Sequence, residues 1–561
     1  MACSKFQFCC RVFAVLSFSS VFVVSISSQN ATPGRIEHAA REPQNWATFY
    51  GNDSAWSYSP LDQISRDNIK ALVPAWVFAA GGQGIESAPL IVDGVLYLIN
   101  QESTVFALDA VTGRRRWAHP AQGTSAQGKF RGLAISNGTI FFGTADNHLV
   151  ALDAETGQEV WNVEVENRSK CGCYVQSAPL VVKDEVIAGI NGGLSAHRGY
   201  LSAFDVKTGR LSWRTYTIPA PGEPGSETWP KGSDSWKMGG GSTWLTGSYD
   251  PDLNLIFWGT STPSDGFSGE SREGDDLYTD SLLAIEADTG KIRWHFQETP
   301  HDIYDYDSNP EPILIEGSLN GRNRKLILHS SKNGYAYLLD RATGKYVSSF
   351  PYVSSPTWSK GIDSSGKPID PVGLQRSKDF LFCPGVTGGH ARDHSAYSPR
   401  TGWWYSTALE ICSVLTPESQ EPKEGTLWDS GKFVNKRNPN GEPAISAFDP
   451  LTGKKMWSYD SKYPNNSSLL ATAGDLIFGG SPEGYTFALD ARTGEKLWSF
   501  NTGSRIASPP VSFSVNGKQY IAITSGGGVV AEGFTLQLWP EARSDFAPVS
   551  SNLFVFALPE K

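Results

Sequence analysis

One eleven-residue pattern, Ala-x-Asp-x-x-Thr-Gly-x-x-x-Trp, recurs along the chain and limits its fold more than any other feature. It reads ALDAVTGRRRW at 107–117, ALDAETGQEVW at 151–161 and AFDVKTGRLSW at 203–213. It returns as AIEADTGKIRW at 284–294, AFDPLTGKKMW at 447–457 and ALDARTGEKLW at 488–498. Looser copies occupy 248–258, 338–348 and 396–406. The apolar run before each turn, such as 105–108, predicts a strand. Asp-x-x-Thr-Gly predicts a turn that the Asp side chain caps and in which Gly takes the left-handed conformation. The next strand ends in Trp, a large surface for docking on a neighbouring unit. A second hairpin precedes the copy, as in APLIVDGVLYL (88–98), APLVVKDEVIAG (178–189) and ATAGDLIFGG (471–480).

A repeating unit of about four strands is a propeller blade. The expected fold is therefore all-β, an eight-bladed β-propeller with tryptophan docking repeats. Residues 553–558 are expected to close the ring with N-terminal strands. The irregular stretches 219–243, 261–280 and 352–395 exceed hairpin loops and are expected to cover one face. No helix with a coherent 3.6-residue stripe stands out.

Composition narrows the function. The 561 residues include 57 Gly and 18 Trp but only 19% charged residues, which argues against coiled coils and disordered chains. A net charge of −10 argues against a nucleic-acid partner. Lys5 and Arg11, the mostly apolar run 12–26 and the small residues Ser25, Ser27 and Ser28 read as an export signal. The expected organisation is a cleaved signal peptide over 1–28 and a single propeller over 29–561, secreted or periplasmic. Cys3, Cys9 and Cys10 fall in the signal, leaving Cys171, Cys173, Cys383 and Cys412. Cys383 and Cys412 flank a hairpin-rich segment and suit a bridge, whereas Cys171-Gly-Cys173 reads either as a strained disulfide or as two thiols. The sequence holds no Cys-x-x-Cys-His, so no covalently attached haem is expected.

Together with GGGSTW (239–244) and TPHDIYDYD (299–307), the repeats resemble the quinoprotein alcohol dehydrogenases, a family that uses pyrroloquinoline quinone and includes methanol and ethanol dehydrogenases. The resemblance runs from about Trp46 to Leu558. It implies an eight-bladed ring and oxidation of a primary alcohol or related CH–OH substrate by hydride transfer to the quinone. Electrons would pass to a soluble cytochrome c or another external acceptor. It also implies roles for residues. Trp244 would floor the quinone, a flat indole against a flat ring system. Arg131 would bind a quinone carboxylate, and Lys332 would stand near the reactive carbonyls. Glu86 would contact the quinone, and Ser242 stands where the family has Thr. Asp305 matches the catalytic base that removes the alcohol proton. Asp307 matches an acid tied in some members to lanthanide use, so calcium or a lanthanide is expected on Asp305 and Asp307. The family disulfide near the sixth blade matches Cys383 and Cys412.

The pattern also breaks. Leu194 stands where the family has a Glu metal ligand, and Thr262 where it has an Asn ligand. Leu has no ligand atom, and Thr offers only a hydroxyl. The family's adjacent-cysteine disulfide is replaced by AQGKF before Arg131, an Asn-Trp pair by Ala391-Arg392, and a Trp by Asn466. Two functions follow: an active dehydrogenase with an altered site, or a degenerate propeller serving as a non-catalytic binding or assembly module.

Overall fold

The Asp-x-x-Thr-Gly segments fold as turns in the computed structural model, which describes residue 1 and residues 32–561 except 33, 36–38, 83, 121–128, 375–378, 391, 528 and 561. Asp109 Oδ1 accepts from the Thr112 amide at 3.0 Å and the Thr112 hydroxyl at 2.9 Å, and Gly113 sits at φ 70°. Asp153 and Thr156 repeat this geometry in the next copy, at 2.8 and 2.7 Å. The side-chain bonds hold the chain reversal, and the absent Cβ permits the left-handed residue.

The turns join the third and fourth strands of successive antiparallel sheets. The first sheet orders Leu90–Val92, Val95–Ile99, Val105–Asp109 and Arg115–His119. Among the described residues, eight sheets have four or five strands and a ninth has three. The inner strands are buried on both faces and read as apolar runs, while fourth strands such as Glu159–Glu164 alternate between exposed and half-buried. Neighbouring sheets pack face to face. Leu90, Tyr97 and Val105 share one core with Ile135, Ile140 and Val150 of the next sheet, and Leu470, Val511 and Leu96 share another where the last sheets meet the first. The protein is an all-β propeller.

Closure comes from the two ends of the described chain. Val73–Ala79 pairs antiparallel with Asn552–Ala557, which continues into Lys518–Ser525 and Val511–Val515. The repeat tryptophans reach from one sheet to the next. Trp117 Nε1 donates to Ala154 O at 3.1 Å, Trp161 to Val206 O at 3.1 Å and Trp213 to Ala287 O at 3.0 Å. Trp76, Trp457 and Trp498 make the corresponding bonds to Ala110, Ala491 and Leu72. The repeat glycine lies under the indole of the preceding copy. A Cβ on Gly157 would come within 2.6 Å of Trp117, and one on Gly290 within 2.5 Å of Trp213.

Three readings of the sequence need correction. The stretches 248–258 and 396–406 are not repeat hairpins: Ser248–Asp250 with Leu255–Gly259, and Ala396–Ser398 with Trp403–Ala408, are first-and-second-strand hairpins. Trp258 therefore lies buried in an inner strand and donates to Thr243 O. By contrast, 338–348 is in register, with Ser348 where other copies carry Trp. The stretch 352–395 is also not wholly irregular. Phe380–Phe382 pairs with Ile411–Pro417, which pairs with Gly431–Arg437 to make the three-stranded sheet. Finally, Val529–Leu538 is a ten-residue helix. Disulfides join Cys171 to Cys173 and Cys383 to Cys412. Segment 2–28, with the expected signal, lies outside the described residues.

Candidate active site

The segments that enter the inner strands converge at one end of the ring. Ala88 N donates to Arg131 O, Arg131 N to Gln176 O, Thr243 N to Ile190 O, Ser261 N to Ser242 O and Lys332 N to Asp307 O. This belt carries side chains from distant parts of the sequence into one cavity of about 550 Å³. Arg131, Leu194, Trp244, Thr262, Asp305, Asp307 and Lys332 all line it. So do Lys129, Tyr174, Gln176, Asn191, Arg392, Leu427 and Phe534, which the sequence reading did not assign. Volume and mixed lining are those of a cofactor site.

At one side, Arg131 stacks over Trp244, its Cζ 5.4 Å from the ring centroid. Its Nη1 pairs with Glu86 Oε2 at 3.0 Å, and Arg392 approaches Glu86 Oε1 at 3.5 Å. Arg131 Nε, Arg392 Nη2 and Thr387 Oγ1 are buried donors with no partner among the described residues. Burial lowers the pKa of Arg131, opposed by Glu86, and burial likewise lowers that of Lys129. Orphaned donors, several cations and an indole face fit a flat polyanion such as the tricarboxylate quinone.

Two of the expected contact residues are not among those that line the cavity. Glu86 is buried behind Arg131 and is not among the lining residues; it orients the two guanidinium groups. Ser242 is also below the cavity wall, its hydroxyl 2.9 Å from Ser261 Oγ. Each side chain is spent on a protein partner: Glu86 on the guanidinium groups that line the cavity, Ser242 on the buried Ser261 hydroxyl. Ala391 lies outside the described residues.

The opposite side is acidic with one ammonium at its centre. Lys332 Nζ lies 3.0 Å from Asp305 Oδ2 and 2.9 Å from Asp307 Oδ2. Lys332 enters on the turn between Arg322–Ser330 and Tyr335–Asp340. Both acids sit on the 299–307 loop, which Asp302 organises. Its carboxylate accepts from Tyr304 N at 2.8 Å, Tyr306 N at 2.9 Å and Thr262 Oγ1 at 2.6 Å. Asp305 itself sits at φ 65°. Asp302 was missed by the sequence reading, although its place three residues before Asp305 in a turn-rich loop is the signature of an Asx-type organiser.

Burial pushes the Asp305 carboxyl up to about 8, against the pull of Lys332 and with help from Asp307. Its side chain is still 23% exposed, so it is reachable from the cavity. Burial works against the Lys332 charge, but the two carboxylates outweigh it and raise its pKa. The group is a carboxyl held 3.0 Å from an ammonium.

The same residues do not fit a bound metal ion. Leu194 contributes only carbon, packed so closely on Gly266 that a methyl there would lie 2.4 Å from its Cδ2. The Thr262 hydroxyl is donated to Asp302, and its amide to Asp307 Oδ1 at 3.2 Å. Asp305 Oδ2 and Asp307 Oδ2 both accept from Lys332 Nζ. Calcium needs six to eight oxygen ligands. Among the described residues, no group of three or more His, Cys, Asp or Glu is placed to hold an ion.

Residues 46–361 match the family described as glucose/ethanol/alcohol dehydrogenase, β-propeller domain, and 441–536 match one described as outer membrane protein assembly factor BamB. A quinoprotein alcohol dehydrogenase of Pseudomonas putida is 34% identical across 92% of each chain. A quinohemoprotein alcohol dehydrogenase of Comamonas testosteroni is 35% identical over 88% of this chain and 74% of its own. The solved structure of a europium-containing methanol dehydrogenase aligns with a TM-score of 0.87 at 31% identity, covering 94% of this chain and all of that one.

Proposed function

The chain belongs to the pyrroloquinoline quinone-dependent alcohol dehydrogenases, and from that premise we propose how its own residues divide the work. It is an oxidoreductase that oxidises an alcohol with the quinone and passes electrons to an external acceptor. The alternative, a non-catalytic binding or assembly module, is not favoured, since the relatives are enzymes.

The observation that carries the residue-level reading is the convergence of Asp305, Lys332, Arg131 and Trp244 on one cavity. The substrate is a primary alcohol or related CH–OH compound. When bound, the quinone would supply the two-electron acceptor for the hydride of the carbinol carbon, which would be left as a carbonyl. Asp305 accepts the hydroxyl proton at a carboxylate oxygen, which requires its ionised form. Lys332 holds that carboxylate in place and donates toward a cavity oxygen as negative charge develops. Arg131 and Arg392 would take carboxylates of the cofactor and Trp244 would floor it; Glu86 holds the two guanidinium groups, and Ser242 bonds to Ser261. Asp307 anchors Lys332.

Around this site we read an eight-bladed ring with tryptophan docking. Eight sheets of four or five strands and six indole-to-carbonyl bonds support it. We assign 1–28 as a signal peptide and 29–561 as a single propeller, secreted or periplasmic; two disulfides suit an oxidising compartment. The acidic balance of −10 suits a basic acceptor such as a soluble cytochrome c.

Reconstitution with pyrroloquinoline quinone and repurification should leave quinone absorbance on the protein and dye-linked oxidation of primary alcohols. Protein that emerges without quinone absorbance would overturn the reading. Asp305→Ala should retain the quinone and lose turnover; full activity in that variant would remove Asp305 from its role.

A further inference from the structure

We propose that Lys332 takes the place of the metal ion in this chain, so that the cofactor binds and works without any divalent or trivalent cation. The inference rests on the quinone reading of the cavity. Asp305 Oδ2 and Asp307 Oδ2 both lie within 3.0 Å of one point, and two carboxylates gathered so closely require a cation there. The Lys332 ammonium is that cation, 6% exposed and at hydrogen-bond distance from both.

An ion ligated by the same oxygens would need them at 2.3–2.6 Å, with the ammonium out of the way, because two cations on the same oxygens repel. The neighbouring positions give an ion nothing further. Leu194 packs carbon against Gly266, and the Thr262 hydroxyl is held by Asp302, whose remaining oxygen is taken by a backbone amide. Donor count points the same way. An ammonium has three N–H bonds. Two are used on Asp305 and Asp307, and Lys332 lines the cavity. The third is left for a carbonyl oxygen of the cofactor, the electrophilic contact an ion would otherwise supply.

The test compares pyrroloquinoline quinone binding to full-length, EDTA-stripped protein in EDTA, in calcium chloride and in lanthanum chloride. Binding is read by tryptophan quenching and quinone absorbance, and bound metal by elemental analysis. The expected result is an affinity that agrees within about twofold across the three conditions, with metal well below one ion per chain. A gain of about tenfold or more with either metal, or about one ion retained per chain, would overturn the inference while leaving the quinone reading intact. No binding in any condition would overturn the quinone reading itself. Lys332→Met adds an independent arm, with folding checked by circular dichroism. It should lose about tenfold or more in metal-free binding and regain part of it with calcium or lanthanum, as the vacated position becomes available to an ion. Lys332→Arg keeps a cation there and should stay metal-independent. Metal-free affinity that survives unchanged in Lys332→Met would refute the assignment to this residue.

Discussion

At the scale of single residues, the site is governed by how burial and charge act on Asp305. Burial pushes its carboxyl up to about 8 against the opposing pull of the Lys332 ammonium 3.0 Å away. Only the carboxylate can take a proton, so kcat/KM for alcohol oxidation should rise with pH and level off above about pH 8; a profile flat from pH 6 to 9 would contradict this. Lys332, shifted upward by its two acids, stays charged through that window and contributes no limb of its own. Arg131→Ala should weaken quinone binding by about tenfold or more, since it removes a charge-assisted donor and leaves Glu86 buried without its main partner. Titration by quinone absorbance checks it.

At the scale of elements, the informative unit is a turn together with the indole packed on it. Trp213 is buried and bonds to Ala287 across the sheet boundary. Trp213→Ala should cost about 3–5 kcal/mol in chemical denaturation. Gly290 combines φ 71° with a Cβ position 2.5 Å from that indole, so Gly290→Ala should cost about 1–3 kcal/mol. The two changes should not add: removing the indole relieves its part of the clash and leaves the backbone strain and the approach to Thr215 Oγ1 at 2.8 Å. The Cys383–Cys412 bridge belongs to this scale too. It ties the three-stranded sheet to the segment leading to Val386 in the cavity wall. Replacing both cysteines with Ala should lower stability by about 2–4 kcal/mol in the same assay.

At the scale of the whole molecule, closure couples the two ends of the described chain. Val73–Ala79 and Asn552–Ala557 share a sheet, and Trp76 and Trp498 carry the indole bonds across its borders. Truncation after residue 550 removes the central partner of that sheet. It should abolish the cooperative unfolding transition and expose the chain to limited proteolysis, whereas a ring that tolerated opening would keep both. The hairpin units were legible in the sequence because each is local: an apolar run, a capped turn and a Trp lie within eleven residues. The misreadings at 248–258 and 396–406 have the same origin. An inner hairpin can share the turn residues of an outer one, and only pairing with neighbours tells them apart.

What the amino-acid sequence determined by itself was therefore the repeating unit, the propeller class and the residue types available for quinone chemistry. Only the tertiary structure decided which of those residues meet. Arg131, Leu194, Trp244, Thr262, Asp305 and Lys332 come from separate stretches of the chain, and Phe534 joins them from a helix that no periodicity announced. It also decided that Glu86 and Ser242 stand behind the wall and that an ammonium occupies the space between Asp305 and Asp307. The physical reason is that turns are specified by contacts a few residues apart. A cavity, in contrast, is specified by the packing of whole sheets, and the distances between its charges exist only once the ring has closed.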